Sequence, residues 1–326
     1  MGKFLNVGII QMPVSKDTAT NLKYIEEKVD ALMTAYHKPE LILGVEGGIG
    51  YFTPEEIPGP ITDFLGNIAK KHEIYFIPGT MYEVSDEAEE GKFFNTAPIF
   101  NPKGELVDAY RKMAPWYPAE EFTSPGKDYV VFDIPEKDTK VGVMICYDSN
   151  FPEISRNLTL LGAEVIVKLT QDPEEICRIN KPIHYARALE NQAYLVSTNG
   201  VGFFGGTSLY GNSLVINPEG HLVWEANNTE TVATTTLDLG LVKRVREYGT
   251  CFMDHYLKHV KQFNFKMPYA NNIHEAPLFK NLEAAPSSVE EYEKKVKEVG
   301  VCEIGKTSNQ EVDFDGFKNN LNEFFK

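Results

Sequence analysis

The chain has 326 residues, 42% of them hydrophobic and 12% aromatic, enough to bury a sizeable core in one large domain or two ordinary ones. A net charge of −15 argues against a protein that tracks nucleic-acid phosphates or coats an anionic membrane. Its four cysteines, Cys146, Cys177, Cys251 and Cys302, have no C-x-x-C spacing, which sets aside a disulfide scaffold and a zinc knuckle.

The first apolar run, Phe4 to Met12, follows no basic region and gives way to polar residues and Pro13, so it reads as a strand and not as a signal peptide. Asn6 misses the myristoylation pattern. No apolar run approaches the roughly 20 residues that span a bilayer. The expectation is a soluble, cytoplasmic protein.

Apolar residues then recur at helical spacing from Leu22 to Tyr36, which predicts an amphipathic helix over Thr18 to Tyr36. Leu41 to Val45 is a short strand that ends at Glu46, and G-G-I-G-Y-F after it predicts a flexible turn. A helix over Asp63 to His72 follows the Pro58-Gly59-Pro60 breaker. Strands are expected at Ile74 to Tyr82 and Phe93 to Asn101, with a solvated acidic loop between them, and at Leu106 to Lys112. The segment R-K-M-A-P-W-Y-P-A-E-E-F-T-S-P-G then has the prolines of an irregular, site-building loop.

Tyr129 to Ile134 and Val141 to Ile145 are strands, and the second runs straight into C-Y-D-S-N-F-P and a helix over Glu153 to Leu161. A side chain at such a corner projects beyond the strand's carboxyl end, where the first N–H groups of the helix would stabilise a thiolate. Cys146 is therefore a candidate nucleophile. Glu164 to Leu169, a helix over Ile176 to Asn191, and Ala193 to Asn199 continue the alternation. Ser208 to Asn217, His221 to Ala226 and Thr231 to Asp238 form a β-rich set, and Leu239 to Tyr248 closes as a helix.

This order predicts a layered α/β fold. From Gly249 the chain turns polar and Pro-punctuated, with one helix expected at Ser288 to Val299. The boundaries are therefore a domain over residues 1–248 and an extension over 249–326, an arm that wraps the domain or a neighbouring subunit.

Glu46, Lys112 and Cys146 each stand where a strand gives way to a loop, so their side chains can meet at one sheet edge. Carboxylate, ammonium and thiol are the parts needed to hydrolyse a C–N bond through a thioester: a base for the proton, a cation for the oxyanion and a nucleophile. The surrounding motifs, G-V-E-G, Y-R-K-M-A-P-W and M-I-C-Y-D-S-N-F-P-E, resemble the nitrilase superfamily of carbon–nitrogen hydrolases, most of all its aliphatic amidase and formamidase branch. C-Y-D-x-N-F-P-E is similar to the amidase form, whereas true nitrilases typically carry Trp-Glu after the cysteine. A-R-A-L-E-N at 186–191 and the strand ending at Asn199 also look like the family, and the resemblance spans about residues 4–248.

The resemblance implies a four-layer α-β-β-α sandwich forming a single domain with a C-terminal arm. It implies Cys146 as nucleophile, Glu46 as general base, Lys112 as oxyanion stabiliser and Glu120 as a substrate-orienting residue. Trp116 would wall the pocket, and the Tyr147 backbone N–H would complete the oxyanion hole. The implied reaction is hydrolysis of a small aliphatic amide to its acid and ammonia in a homo-oligomer, with no metal or organic cofactor. The alternatives are an N-carbamoyl hydrolase, a nitrilase, or a non-enzymatic assembly module with a relic site.

The sequence departs from the family at Gly44 and Val45, where relatives have an apolar residue and proline, and at Gly47, where aliphatic amidases have tyrosine. Thr170 to Pro173 offers a possible substrate contact. His255 and His259 have zinc-helix spacing without the following glutamate and read as a structural or solvated pair. A Cys–His protease lacks C-G-x-C-W, and G-V-G-F-F-G-G at 200–206 lacks the Lys-Ser/Thr of a phosphate loop and reads as a pocket-lining loop or hairpin connection.

Overall fold

A computed structural model describes residues 3–204, 206–250, 253–264, 266, 268–269, 272–280 and 282–299. The chain divides into two compact units, one of Met1–Pro115 with Phe122–Leu257 and one of Trp116–Glu121 with Lys258–Lys326.

The first unit holds the alternating strands and helices. Its first half runs β1 (Phe4–Gln11), α1 (Thr18–Thr34), β2 (Leu41–Glu55), α2 (Pro60–His72), β3 (Tyr75–Glu83), β4 (Phe94–Phe100) and β5 (Leu106–Arg111). Its second half runs β6 (Val131–Ile134), β7 (Thr139–Ile145), α3 (Pro152–Leu160), β8 (Val165–Thr170), α4 (Cys177–Asn191) and β9 (Tyr194–Asn199). The short strands β10 (Val201–Phe204), β11 (Thr207–Tyr210), β12 (Leu214–Ile216) and β13 (Leu222–Glu225) come next, then β14 (Thr231–Asp238) and α5 (Leu239–Tyr248).

Among the described residues twelve of these strands form two six-stranded sheets, ordered β14-β1-β2-β3-β4-β5 and β13-β12-β9-β8-β7-β6, and β10 and β11 pair with each other. Each has a parallel centre, β1-β2-β3 or β7-β8-β9, flanked by antiparallel strands. Parallel neighbours need helical crossovers, and α1 to α4 supply them.

Side-chain parity separates the layers. Val141, Val143 and Ile145 of β7 and Val165, Val167 and Leu169 of β8 share one core with Leu5, Val7, Ile9, Leu41 and Leu43 of the other sheet. The alternate residues Met144, Ile166 and Leu195 pack instead with Ile154 and Leu158 of α3 and Ala188 of α4. A strand covered on both faces must be apolar throughout, which is why β7 and β8 read as continuous apolar runs. Each fully buried Leu, Ile or Val contributes about 1.5–3 kcal/mol. The sheets also meet through polar and aromatic contacts: Thr198 Oγ1 donates to the Gly44 carbonyl at 2.5 Å, and the Tyr75 and Phe132 rings stack at 6.1 Å. The result is the expected α-β-β-α sandwich.

Several boundaries differ from expectation. α2 starts at Pro60, three residues early, because proline suits the first helical position and Thr62 caps the Gly59 N–H. β2 does not end in a turn after Glu46: it continues to Glu55 with two register irregularities, which Gly47 (φ +64°) and Gly50 (φ +153°) accommodate. Val201–Phe204 of the glycine-rich run pairs antiparallel with Thr207–Tyr210, Val201 opposite Tyr210 and Phe204 opposite Thr207. The first unit extends past residue 248 to Leu257, where Gln192 accepts from the Leu257 N–H and donates to the Asp254 carbonyl.

Helix α6 (Tyr256–Gln262) begins at the boundary of the second unit, which also holds α7 (Val289–Val299), where the sequence predicts a helix. Within that unit the Val289 N–H donates to Glu121 Oε2 at 3.1 Å.

Candidate active site

β2 places Glu46 and the residue after β5 is Lys112, so the parallel and antiparallel arms of the first sheet deliver a carboxylate and an ammonium. The two are 3% and 2% exposed, and Lys112 Nζ lies 2.9 Å from Glu46 Oε1. The same oxygen accepts from Asn95 Nδ2 at 2.9 Å, and Oε2 accepts from the Gln171 backbone N–H at 3.0 Å. Glu46 is thus held by donors from three separate elements, and a buried carboxylate needs such partners. Lys112 is fixed in turn by main-chain bonds, its N–H to Asn95 O and its carbonyl from Gly126 N–H.

Cys146 comes from the second sheet. It follows β7 directly with φ +47°, a left-handed conformation that costs a non-glycine residue about 1–2 kcal/mol. A short 3₁₀ turn, Cys146–Asn150, follows, and Pro152 then opens α3. Three bonds to Asp148 hold this corner: Oδ2 accepts from the Ile145 N–H at 2.9 Å and from Tyr110 Oη at 2.7 Å, and Oδ1 accepts from the Ala114 N–H at 2.8 Å. Arg187 of α4 closes the other side, donating from Nε to Ser149 O at 2.8 Å and from Nη2 to Asn150 O at 3.1 Å. Asn191 donates to Ser155 Oγ at 3.1 Å. The A-R-A-L-E-N motif therefore braces the corner that carries the thiol.

The expected stabilisation of a thiolate by the following helix is not what governs this thiol. α3 starts six residues on, and burial, with the Glu46 charge next, pushes the Cys146 thiol well above its ordinary range. Lys112 and Lys168 oppose that shift. Glu46, Lys112 and Cys146, predicted from separate strand ends, are brought into one electrostatic neighbourhood.

A second buried pair acts on the same thiol. Cys146 Sγ donates to Asp172 Oδ1 at 3.3 Å, while Asp172 Oδ2 accepts from Lys168 Nζ at 2.7 Å and from Tyr210 Oη at 3.3 Å. Asn199 accepts from the Asp172 N–H at 2.8 Å. His184 of α4 stands 3.0 Å from Lys168 Nζ through Nε2; burial and that ammonium lower its pKa well below the usual value, so it is neutral and Nε2 accepts. Asp172 is also wholly buried, yet Lys168 overcomes the burial penalty and holds its pKa near about 2. Sequence reasoning had Asp172 only within a possible contact segment and passed over Lys168. The available signal was a lysine inside the apolar strand V-I-V-K-L-T, which a fold can bury only with a partner.

The departures at Gly44 and Gly47 have physical causes. A Cβ at Gly44 would lie 1.9 Å from the Pro78 carbonyl oxygen, so β2 and β3 approach only with glycine there. A Cβ at Gly47 would lie 2.2 Å from Tyr51 Cε2. An aromatic ring therefore does adjoin Gly47, but it arrives from Tyr51, four residues later, stacked on Tyr82 at 4.5 Å and near Phe204 at 6.1 Å.

Tyr147 sits in the turn that begins at Cys146 and packs edge-on against Phe151 at 5.2 Å. Glu120 and Trp116 lie in the second unit, where Glu120 Oε2 accepts from the Trp116 N–H at 2.6 Å. His259 of α6 stacks on Phe263 at 6.3 Å. Among the described residues no group of three or more His, Cys, Asp or Glu side chains could hold a metal ion. No described helix is long and apolar enough to cross a membrane.

Residues 6–247 match the family model for carbon–nitrogen hydrolases. The chain belongs to that family. As a carbon–nitrogen hydrolase it is 31% identical over 274 residues to the omega-amidase NIT2-B of Xenopus laevis, covering 76% of this chain and 93% of that protein. It is 30% identical over 226 residues to a formamidase of Bacillus thuringiensis, covering 65% of this chain and 67% of that protein. Among solved structures, Nit3 of Saccharomyces cerevisiae, a member of branch 10 of the nitrilase superfamily, superposes with a TM-score of 0.67 at 26% identity, covering 75% of this chain and 94% of that one.

Proposed function

We propose that this carbon–nitrogen hydrolase cleaves a small aliphatic amide to its carboxylic acid and ammonia through a thioester on Cys146. The observation that supports it most is the buried Glu46–Lys112 pair acting on a cysteine at a strained strand end. In this reading Glu46 takes the thiol proton as the sulfur attacks the amide carbon. Lys112 and the Tyr147 N–H stabilise the oxyanion, since the first N–H groups of a helical turn have no partner within it. Glu46 passes its proton to the departing nitrogen and ammonia leaves. It then activates a water, which adds to the thioester and releases the acid and the thiol. Glu120 orients the substrate amide and Trp116 walls the pocket. The omega-amidase and formamidase relatives favour amides, and the Cys146-Tyr147-Asp148 sequence favours amides over nitriles.

Ammonia release from short amides, carbamoyl compounds and nitriles tests this reading. Cys146→Ala is expected to lose roughly 10⁴-fold or more in turnover, and Glu120→Leu to lose turnover while its thiol still reacts with electrophiles. An alanine variant as fast as wild type would rule out the thioester route, and release from nitriles alone would replace the amide by that class.

The same reading includes a homo-oligomer in which the segment after Gly249 takes part. Exposed Val260, Phe263, Leu278 and Leu282 support it. Removing residues 250–326 is expected to lower the mass measured by sedimentation equilibrium to fewer subunits; an unchanged subunit number would exclude that role.

A further inference from the structure

Asp172 is a second carboxylate at the nucleophile, and the parts around it form a built site. Parity along β8 explains its origin. Val165, Val167 and Leu169 face the opposite sheet, so Lys168 and Ile166 face α4. Lys168, 1% exposed, there meets His184 of α4 and Asp172 at the strand's end. The loop Gln171-Asp172 touches both carboxylate systems at once: the Gln171 N–H bonds to Glu46 while the Asp172 side chain receives the thiol.

We propose that the Lys168–Asp172 pair is a charge-setting and positioning element for Cys146. In the resting enzyme Asp172 Oδ1 accepts the thiol hydrogen bond and fixes the sulfur, and the Lys168 ammonium, 2.7 Å from the other carboxylate oxygen, offsets the negative charge that would otherwise suppress the thiolate. The inference rests on Cys146 being the reacting sulfur. Asp172 is not the base. Its carboxylate stays ionised through its ion pair with Lys168, so it offers the thiol a fixed acceptor and leaves proton removal to Glu46. Neutral His184 holds Lys168 from α4, and Tyr210 Oη and the Asn199 side chain hold Asp172 from β11 and β9. The charged and titratable groups acting on the thiol are Glu46, Lys112, Asp172 and Lys168; Asp148 braces the preceding N–H, and Cys177 lies near enough to Asp172 to feel its charge.

Two opposite charges 2.7 Å apart make a signed test possible. Alkylation of Cys146 by monobromobimane, assigned by peptide mapping and followed against pH, reports the thiolate without any amide substrate. It therefore succeeds or fails independently of the ammonia assay. Asp172→Asn is expected to move the alkylation midpoint to lower pH and raise the rate at pH 7 on the order of tenfold. Lys168→Met should move it to higher pH and slow the reaction by a similar factor. The double variant, which removes both charges, should return close to wild type and gives the answer even where a single variant fails to fold. A shift of both single variants in the same direction overturns the proposal, as does no shift in either or a double variant displaced as far as a single one. Slower alkylation in Asp172→Asn would instead make Asp172 the base and overturn the division of roles.

Discussion

Two buried lysine–carboxylate pairs act on Cys146, and they are built differently. Glu46 and Lys112 are 66 residues apart, and their carboxylate is filled by a lysine, an asparagine and a backbone N–H. Lys168 and Asp172 are four residues apart on one strand and its loop, and one oxygen of that carboxylate is left to the thiol. Burying an ion pair is expensive unless its remaining hydrogen-bonding capacity is met. Here the first pair meets it with scaffold groups, and the second with Tyr210 on one oxygen and the Cys146 thiol on the other. The difference suggests that the first pair moves a proton and the second places one.

The largest expected effect separates those roles. Glu46→Gln should lower ammonia release on the order of 10³-fold, the loss of a general base, whereas Asp172→Asn should lower it much less. Equal losses in steady-state turnover would erase the distinction. A smaller effect compares two aspartates that are both wholly buried. At Asp148 burial outweighs its hydrogen bonds and the Lys112 charge and raises its pKa to about 6; Asp172 has Lys168, which lowers it to about 2. Their contributions to stability therefore run in opposite senses with pH. For Asp148 the folded state holds its proton above the ordinary 3.8, so its contribution falls as pH rises from about 4 to about 6, by on the order of 3 kcal/mol. For Asp172 the contribution is present above about 4 and is lost as pH falls toward about 2. Urea midpoints between pH 4 and 7 should show the first component in wild type and lack it in Asp148→Asn. Parallel curves for the two proteins would contradict the raised value.

The half of the site that we propose handles the proton was legible in the sequence, and the half that we propose places it was not. Glu46 and Cys146 each end an apolar run of the sequence, and a polar side chain at such an end announces itself against its neighbours. Lys112 gained meaning only beside them. Lys168 sits inside a strand, where the usual reading of an apolar run absorbs one exception, and its partner lies beyond the strand's end. Tyr51 was hidden for another reason: its ring reaches Gly47 because β2 bulges between them, and no simple strand periodicity places residues four apart in contact. The layered fold was readable from the alternation of apolar runs. The extra length of β2 was not, because glycines that look like a turn here permit a kinked strand.

The left-handed backbone at Cys146 has a consequence for attempts to stabilise this protein. Glycine adopts that conformation freely and cysteine does not, so a search that scores folding alone would favour replacing Cys146, the proposed nucleophile. Position 146 is thus one where robustness and activity pull in opposite directions. A stability screen blind to chemistry would mark the proposed nucleophile as improvable, alongside the other left-handed positions Glu73, Asp138, Gln192, Asn212 and Asp254.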